Sequence, residues 1–392
     1  MPNLPFTPAE YARRLSKTRK AMLDKDLDAL FVEDPSNIAW LTGYDGWSFY
    51  VHQGVIVTHD RDPIWWGRAQ DKNGALRTVW MDPTDVTSYA EHFVQSDERH
   101  PMQDLAGKLV DLGFGSGCIG VEMENYYFSA KAYKTLHDCL PDATLGDATG
   151  LVNWQRAVKS SEEIGFMQKA ARISERLIDI ARDKIEPGLR KNMLVAEIQA
   201  AAIRGTGDDW GDYAAIVPLL ASGPDAAAPH LTWTGDPFVQ GEATFFELAG
   251  CYRRYHAPLC RTVFLGTPPD AMRRAEAALV DGIHAGIEAA RPGNRASDVA
   301  EALGRALERA GITRSARCGY PIGLSYPPDW GERTISLRKE DQTILEPGMT
   351  FHFMPGLWMD RWGLAITEPI MISENGPATC FCDRPRELYV KP

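Results

Sequence analysis

The chain has 392 residues, which at about 100–200 residues per domain predicts two domains. Hydrophobic residues make up 44% and charged residues 24%, ordinary values for a globular protein, and no apolar run reaches the roughly 18 residues that span a bilayer. The formal net charge of −11 argues against nucleic-acid binding, which needs a basic face to neutralise phosphates.

The N-terminus, Met1-Pro2-Asn3-Leu4-Pro5-Phe6, lacks the basic and apolar regions of a secretory signal, so the expected location is cytoplasmic. Residues 8–27 read as an opening helix, with Thr7 as N-cap, Glu10 completing a capping box, and Leu15, Met22 and Leu23 able to share a face. Short apolar runs at 28–32, 54–58 and 118–122 read as strands, and they alternate with helical stretches at 102–112 and 128–138. This half has the pattern of a small α/β domain. Near residue 155 the pattern changes. Ser160 or Ser161 can cap a long helix with an acidic first turn, running to about Lys184 and ended by Pro187-Gly188. A helix at 191–204 follows, then a β-rich stretch at 213–265, helices at about 269–291 and 296–310, and strands broken by Pro and Gly through 316–390. The expected domains are therefore 1–155 and 156–392. The seven cysteines are odd in number in a long chain, which argues against a disulfide framework. The one close pair, Cys380-Phe381-Cys382, lacks the usual zinc spacing and reads as structural.

The segment Phe245-Phe246-Glu247-Leu248-Ala249-Gly250-Cys251-Tyr252-Arg253-Arg254-Tyr255-His256-Ala257-Pro258-Leu259-Cys260-Arg261-Thr262 resembles the metal-ligand strand pair of the pita-bread family. That family contains methionine aminopeptidase, prolidase and creatinase. Arg156-Ala157-Val158-Lys159-Ser160-Ser161-Glu162-Glu163-Ile164 resembles the entry to its catalytic domain. The resemblance covers the whole chain. It implies an α+β pita-bread domain at the C-terminus, preceded by a smaller creatinase-type α/β domain.

In the metal enzymes of that family, two Asp, one His and two Glu hold two ions. Aligned on Arg261-Thr262, the first Asp position is Glu247 and the second is Pro258, which has no donor. Tyr320-Pro321-Ile322-Gly323-Leu324 places Tyr320 where the His stands. Pro347-Gly348-Met349-Thr350-Phe351-His352-Phe353-Met354-Pro355-Gly356 places Met354 at one Glu position, and Ile366-Thr367-Glu368-Pro369 places Thr367 at the other, with Glu368 adjacent. The resemblance thus implies a scaffold that has lost its metal site and uses no cofactor. A different site made by His230, His256 and His352 stays open as an alternative.

Creatinase is a metal-free precedent and hydrolyses an amidinium-type C–N bond. The segment from Phe245 to His256, with Gly43-Tyr44-Asp45-Gly46-Trp47-Ser48-Phe49-Tyr50, is similar to the ectoine hydrolase branch of the family. That branch opens the cyclic amidine of ectoine to N-acetyl-2,4-diaminobutyrate. The resemblance implies a metal-independent hydrolase of C–N bonds other than peptide bonds, acting in ectoine catabolism. Its substrate would be ectoine, with hydroxyectoine a further candidate. An amidinium carbon is already electrophilic, so a nucleophile, an acid/base group and recognition of both charges of the zwitterion would suffice. Glu247 is the candidate nucleophile or general base. His230, in a loop similar to the family's Pro-His loop, and His256, beyond a tight turn, are candidate proton carriers. Glu368 can form a second carboxylate beside Glu247, splitting the two into an acid and a base. Trp47, Phe49 and Tyr50 offer aromatic faces for a delocalised cation, and Arg68 a fork for the carboxylate. Tyr320, His352 and Trp358 complete the substrate-binding set. Creatinase-like dimers bring the N-terminal domain to the neighbouring subunit's pocket, so the resemblance implies a homodimer, and the pathway would supply a deacetylase as a further partner. Two other readings are a creatinase-like amidinohydrolase with another small zwitterion and a catalytically silent binding protein. Turnover of ectoine, of creatine, or of neither separates them, and the lost ligands weigh against a metallopeptidase.

Overall fold

The computed structural model describes residues 4–392, and the chain divides into two compact units, Met1–Gln155 and Arg156–Pro392. In the first unit the elements are α1 (Pro8–Leu23), β1 (Ala29–Val32), α2 (Pro35–Thr42), β2 (Gly54–Thr58), β3 (Ile64–Arg68), α3 (Lys72–Thr78) and β4 (Val86–Tyr89). They continue with α4 (Pro101–Asp111), β5 (Cys118–Val121), α5 (Ala130–Cys139), β6 (Thr144–Asp147) and α6 (Leu151–Gln155). The strands form one sheet in the order β4-β3-β2-β1-β5-β6, antiparallel where β2 pairs and parallel elsewhere. Phe31, Ile56 and Trp66 of the sheet bury against Leu105 and Leu109 of α4 and Leu136 of α5.

Two expectations for the opening helix change. It ends at Leu23 rather than 27, because the chain turns through Asp26 at φ 53° to enter β1. Thr7 caps as expected, accepting from the Glu10 N–H, but the Glu10 carboxylate binds Arg13 and Arg14 instead of closing a capping box. Helix α2 was not foreseen, although its signals are plain: Asp34 accepts from Ser36 and Asn37 at the N-cap, Pro35 opens the helix, and Gly43 ends it at φ 80°.

The second unit contains α7 (Ser161–Lys184), α8 (Lys191–Arg204), β7 (Leu219–Ser222), β8 (Ala243–Tyr252), β9 (Tyr255–Leu265), α9 (Asp270–Ala289) and α10 (Ala296–Arg309). Short strands follow: β10 (Gly319–Pro321), β11 (Thr350–Phe353), β12 (Gly356–Trp358), β13 (Gly363–Ala365), β14 (Glu368–Met371), β15 (Thr379–Cys380) and β16 (Tyr389–Lys391). They make two four-stranded sheets, β16-β9-β8-β7 and β10-β11-β14-β15, and the β12-β13 ribbon. Ser160 caps α7 in a full capping box with Glu163.

Helix α7 lies on one face of β8 and β9, and Gly250 permits the approach. A Cβ there would stand 2.2 Å from the Ala170 carbonyl oxygen and 2.6 Å from the Ser174 nitrogen. Ser174 Oγ accepts the Gly250 N–H at 2.7 Å, which pins helix to strand. The opposite face of the same strands carries the site. Among the described residues no helix is long and apolar enough to cross a membrane.

Candidate active site

A two-residue turn sets the register of the central hairpin. Arg253 and Arg254 both take positive φ, 47° and 66°, the geometry of a type I′ turn, so Tyr252 pairs with Tyr255 and Glu247 with Cys260. Glu247 also pairs with Leu219 of β7. Directly paired residues share a face, so Glu247 projects between Leu219 and Cys260, with Phe245 two residues away on the same side. Phe245 carries Trp358 edge-on at 5.3 Å between ring centroids, and these groups pack with Ala221 and Ala365 into an apolar wall.

The second sheet closes the site. Cys260 and Thr367 are bonded twice: the Thr367 N–H donates to the Cys260 carbonyl at 3.1 Å, and the Cys260 N–H donates to Thr367 Oγ1 at 2.8 Å. In that sheet Tyr320 pairs with His352 across β10 and β11. His352 Nε2 lies 2.8 Å from Thr367 Oγ1, and its Nδ1 lies 2.9 Å from Tyr320 Oη. Tyr320 Oη accepts from Trp330 Nε1 at 2.8 Å. Nδ1 also stands 3.9 Å from Glu247 Oε1.

Burial governs the charges here. It raises the Glu247 carboxyl to about 7 and lowers His352 to about 3. The two are therefore polar neighbours rather than an ion pair at neutral pH, where His352 is uncharged and Glu247 is poised between its two forms. Burial first, and Glu247 second, also push the Tyr320 hydroxyl well above its usual range, so it stays a phenol.

The other predicted site residues fall elsewhere. His256 shares the Glu247 face but pairs with Cys251, four residues along β8, or about 14 Å at strand rise. Its Nε2 accepts the Ala215 N–H at 2.9 Å, and burial holds its pKa down to about 4, so it serves the backbone as a neutral acceptor. Glu368 is not beside Glu247. Successive residues alternate faces, so with Thr367 turned to the site Glu368 turns away, where Oε1 accepts from Arg261 at 2.6 Å and Arg386 at 3.1 Å. His230 is exposed in the turn after the short 3-10 helix Gly223–Ala227 and makes no hydrogen bond or ion pair among the described residues. In the first unit Trp47 and Tyr50 are exposed, Phe49 lies tilted against Trp47 and Tyr127 at 4.8 and 5.5 Å between ring centroids, and the Arg68 fork is taken by Glu91, with a further bond to Tyr50 Oη at 2.9 Å.

The donors around Glu247 do not fit a divalent ion, which takes several carboxylate or imidazole ligands. Pro258 offers none, Tyr320 is held as a phenol, Thr367 is engaged by the Cys260 N–H, Met354 is a half-buried thioether, and both His352 nitrogens have hydrogen-bond partners. Among the described residues no group of three or more His, Cys, Asp or Glu side chains is arranged to hold a metal, and His230, His256 and His352 do not converge. Trp330 and the Cys260 N–H were missed at the sequence level. Neither carries a local signal, since each matters only through the sheet or loop that packs against it. Thr367 figured in the sequence only as a lost ligand position, and its bonds to Cys260 and His352 come from the packing of the two sheets.

Residues 14–158 match the creatinase/prolidase N-terminal domain, and residues 165–374 match metallopeptidase family M24. The chain is 57% identical to the ectoine hydrolase of Halomonas elongata, covering 99% of each, and 38% identical to an uncharacterized hydrolase/peptidase of Sinorhizobium fredii, again over 99% of each. Prolidase from Thermococcus sibiricus shares the fold, with a TM-score of 0.83 at 18% identity over 97% of this chain and 99% of that one. Dipeptidase PepE from Mycobacterium ulcerans does so at 0.81 and 24%, over 98% of this chain and 99% of that one. With both of its domains accounted for in order, the chain belongs to metallopeptidase family M24, in the form that carries a creatinase/prolidase N-terminal domain.

Proposed function

We propose that the protein is a metal-independent hydrolase that opens the cyclic amidine of ectoine to N-acetyl-2,4-diaminobutyrate. The observation that carries the substrate is the 57% identity to an ectoine hydrolase along 99% of both chains. The site's chemistry supports it. One carboxylate, raised to about 7, stands at the position that the family resemblance aligns with a metal ligand, among partners that suit no divalent ion.

Glu247 acts on the amidinium carbon. As general base it takes a proton from water while the oxygen bonds to that carbon, giving a neutral tetrahedral adduct. It then returns the proton to one ring nitrogen, the C–N bond breaks with its electron pair going to that nitrogen, and the freed amine takes up the proton left on the new amide. As nucleophile it would instead bond the carbon itself, with water releasing it later. A carboxyl near 7 suits the first route, since it can both accept and return a proton at neutral pH. The apolar wall of Leu219, Phe245 and Trp358 strengthens the attraction between the ionised carboxylate and the cationic ring by excluding water.

The test is turnover by chelator-treated protein, with ectoine as substrate and N-acetyl-diaminobutyrate as the product followed. Absence of that product overturns the substrate. Loss of activity on chelation, restored by a divalent ion, overturns the metal-free mechanism.

A further inference from the structure

The hydrogen bonds around His352 can be assigned proton by proton. Trp330 Nε1–H and the Cys260 N–H are donors only, so Tyr320 Oη and Thr367 Oγ1 each accept one bond. Thr367 is fully buried, and among the described residues the one acceptor within reach of its hydroxyl proton is His352 Nε2, at 2.8 Å. Either tautomer leaves one of the two hydroxyl protons without a protein acceptor, and the Glu247 oxygen beside Nδ1 decides between them by favouring hydrogen there, so that Thr367 donates to Nε2. A neutral imidazole that accepts at Nε2 carries its hydrogen on Nδ1. That N–H points to Tyr320 Oη at 2.9 Å, and the Glu247 oxygen 3.9 Å from the same nitrogen favours it electrostatically. Tyr320 Oη then accepts two bonds, and its own proton has no acceptor among the described residues.

A free donor beside Glu247 needs a partner. The amidinium end of the proposed substrate offers only N–H donors before reaction, and its carboxylate is repelled by Glu247. After attack on the carbon, the ring nitrogen gains a lone pair. We propose that the Tyr320 hydroxyl donates a hydrogen bond to the lone pair of one ring nitrogen as water adds, before Glu247 delivers its proton to the leaving nitrogen, and that Thr367 is a positioning residue which frees this proton by fixing the His352 tautomer. This rests on the ring-opening reading of the site. The interaction is a hydrogen bond and not a proton transfer, so no charge is left on the phenol. Because it forms only as the adduct forms, it lowers the barrier without tightening substrate binding.

The test has two arms. In the first, kinetics with ectoine compare Tyr320→Phe, Thr367→Val, Thr367→Ser and the Tyr320→Phe/Thr367→Val double variant. Tyr320→Phe should lower kcat by roughly tenfold with KM little changed, as for loss of one neutral hydrogen bond made only as the adduct forms. Thr367→Val should lower kcat roughly tenfold, Thr367→Ser should restore it, and the double variant should be no slower than Tyr320→Phe, because coupled residues act as one unit. A rise in KM at constant kcat, a Ser variant as slow as the Val variant, or multiplying effects would overturn the proposal. In the second arm, ¹⁵N-histidine NMR of the unmodified protein reads the tautomer directly, with the His352 signal identified by its loss in His352→Gln. Hydrogen on Nδ1 supports the inference and hydrogen on Nε2 overturns it. This arm needs no substrate, so a protein that fails to open ectoine would sink the proposed reaction while the hydrogen-bond assignment is still decided.

Discussion

Replacing Glu247 by Gln should make the protein more stable and nearly inactive. The folded carboxyl is raised from 4.5 to about 7 by burial alone, with no cation to offset the loss of solvent. In the unfolded chain it returns to its ordinary value, so between pH 4.5 and about 7 the folded state holds more protons than the unfolded one. Stability therefore falls as pH rises through that window and is flat above it. The rise corresponds to about 3 kcal/mol, present in full near pH 8 and absent near pH 4.5. Gln has the shape of Glu without its charge and escapes this penalty. Glu247→Gln should therefore exceed the parent by about 3 kcal/mol in urea denaturation at pH 8, with the gap closing as pH falls to 5. Ectoine turnover should drop by roughly 10²–10⁴-fold. The parent's own kcat/KM should rise with pH through an apparent pKa near 7, the base being active when ionised. A variant with near-normal turnover, or a stability gap that does not change with pH, would refute the assignment of Glu247 as a desolvated catalytic carboxylate.

Three further outcomes are expected. Glu368→Gln removes the carboxylate that neutralises buried Arg261 and the neighbouring Arg386, and should cost about 3–5 kcal/mol in a denaturation series. Its effect on KM should be small, because the side chain faces away from Glu247. His256→Ala leaves the Ala215 N–H without its acceptor and should cost about 1–3 kcal/mol by thermal or urea melting, while the folded fraction keeps its turnover. Exhaustive chelation followed by metal analysis should leave ectoine turnover unchanged, because the groups around Glu247 suit no divalent ion.

Much of the fold was legible from pattern. The long helix with its Ser160 cap, the helix at 191–204 and the paired helices near 270 and 296 all form where periodicity and caps put them, because helices are decided by neighbours three and four residues apart. Strands β3, β4 and β6 escaped notice. Each is only four or five residues long, and the first four residues of β3, Ile64-Trp65-Trp66-Gly67, are an apolar run with no alternation to betray it. At the site, Glu247, Tyr320, His352 and Trp358 do gather around one apolar wall and one hydrogen-bond chain. His256 and Glu368 do not join them, and both differences are matters of strand register and face rather than of residue type.

The sequence by itself determined which chemistry is available here. Proline at 258, tyrosine at 320, methionine at 354 and threonine at 367, the residues the family resemblance aligns with metal ligands, offer no carboxylate or imidazole, and the residue aligned with the remaining ligand is a glutamate, Glu247. Those are properties of the side chains and need no coordinates. Only the tertiary structure decided what replaces the missing ligands. A turn of two left-handed arginines sets the register that leaves Glu247 opposite Cys260, and the alternation of β14 sends Thr367 to the site and Glu368 to the arginines. Contacts among residues 247, 320, 352 and 367 join strands from two sheets, and no local preference encodes such a distant pairing.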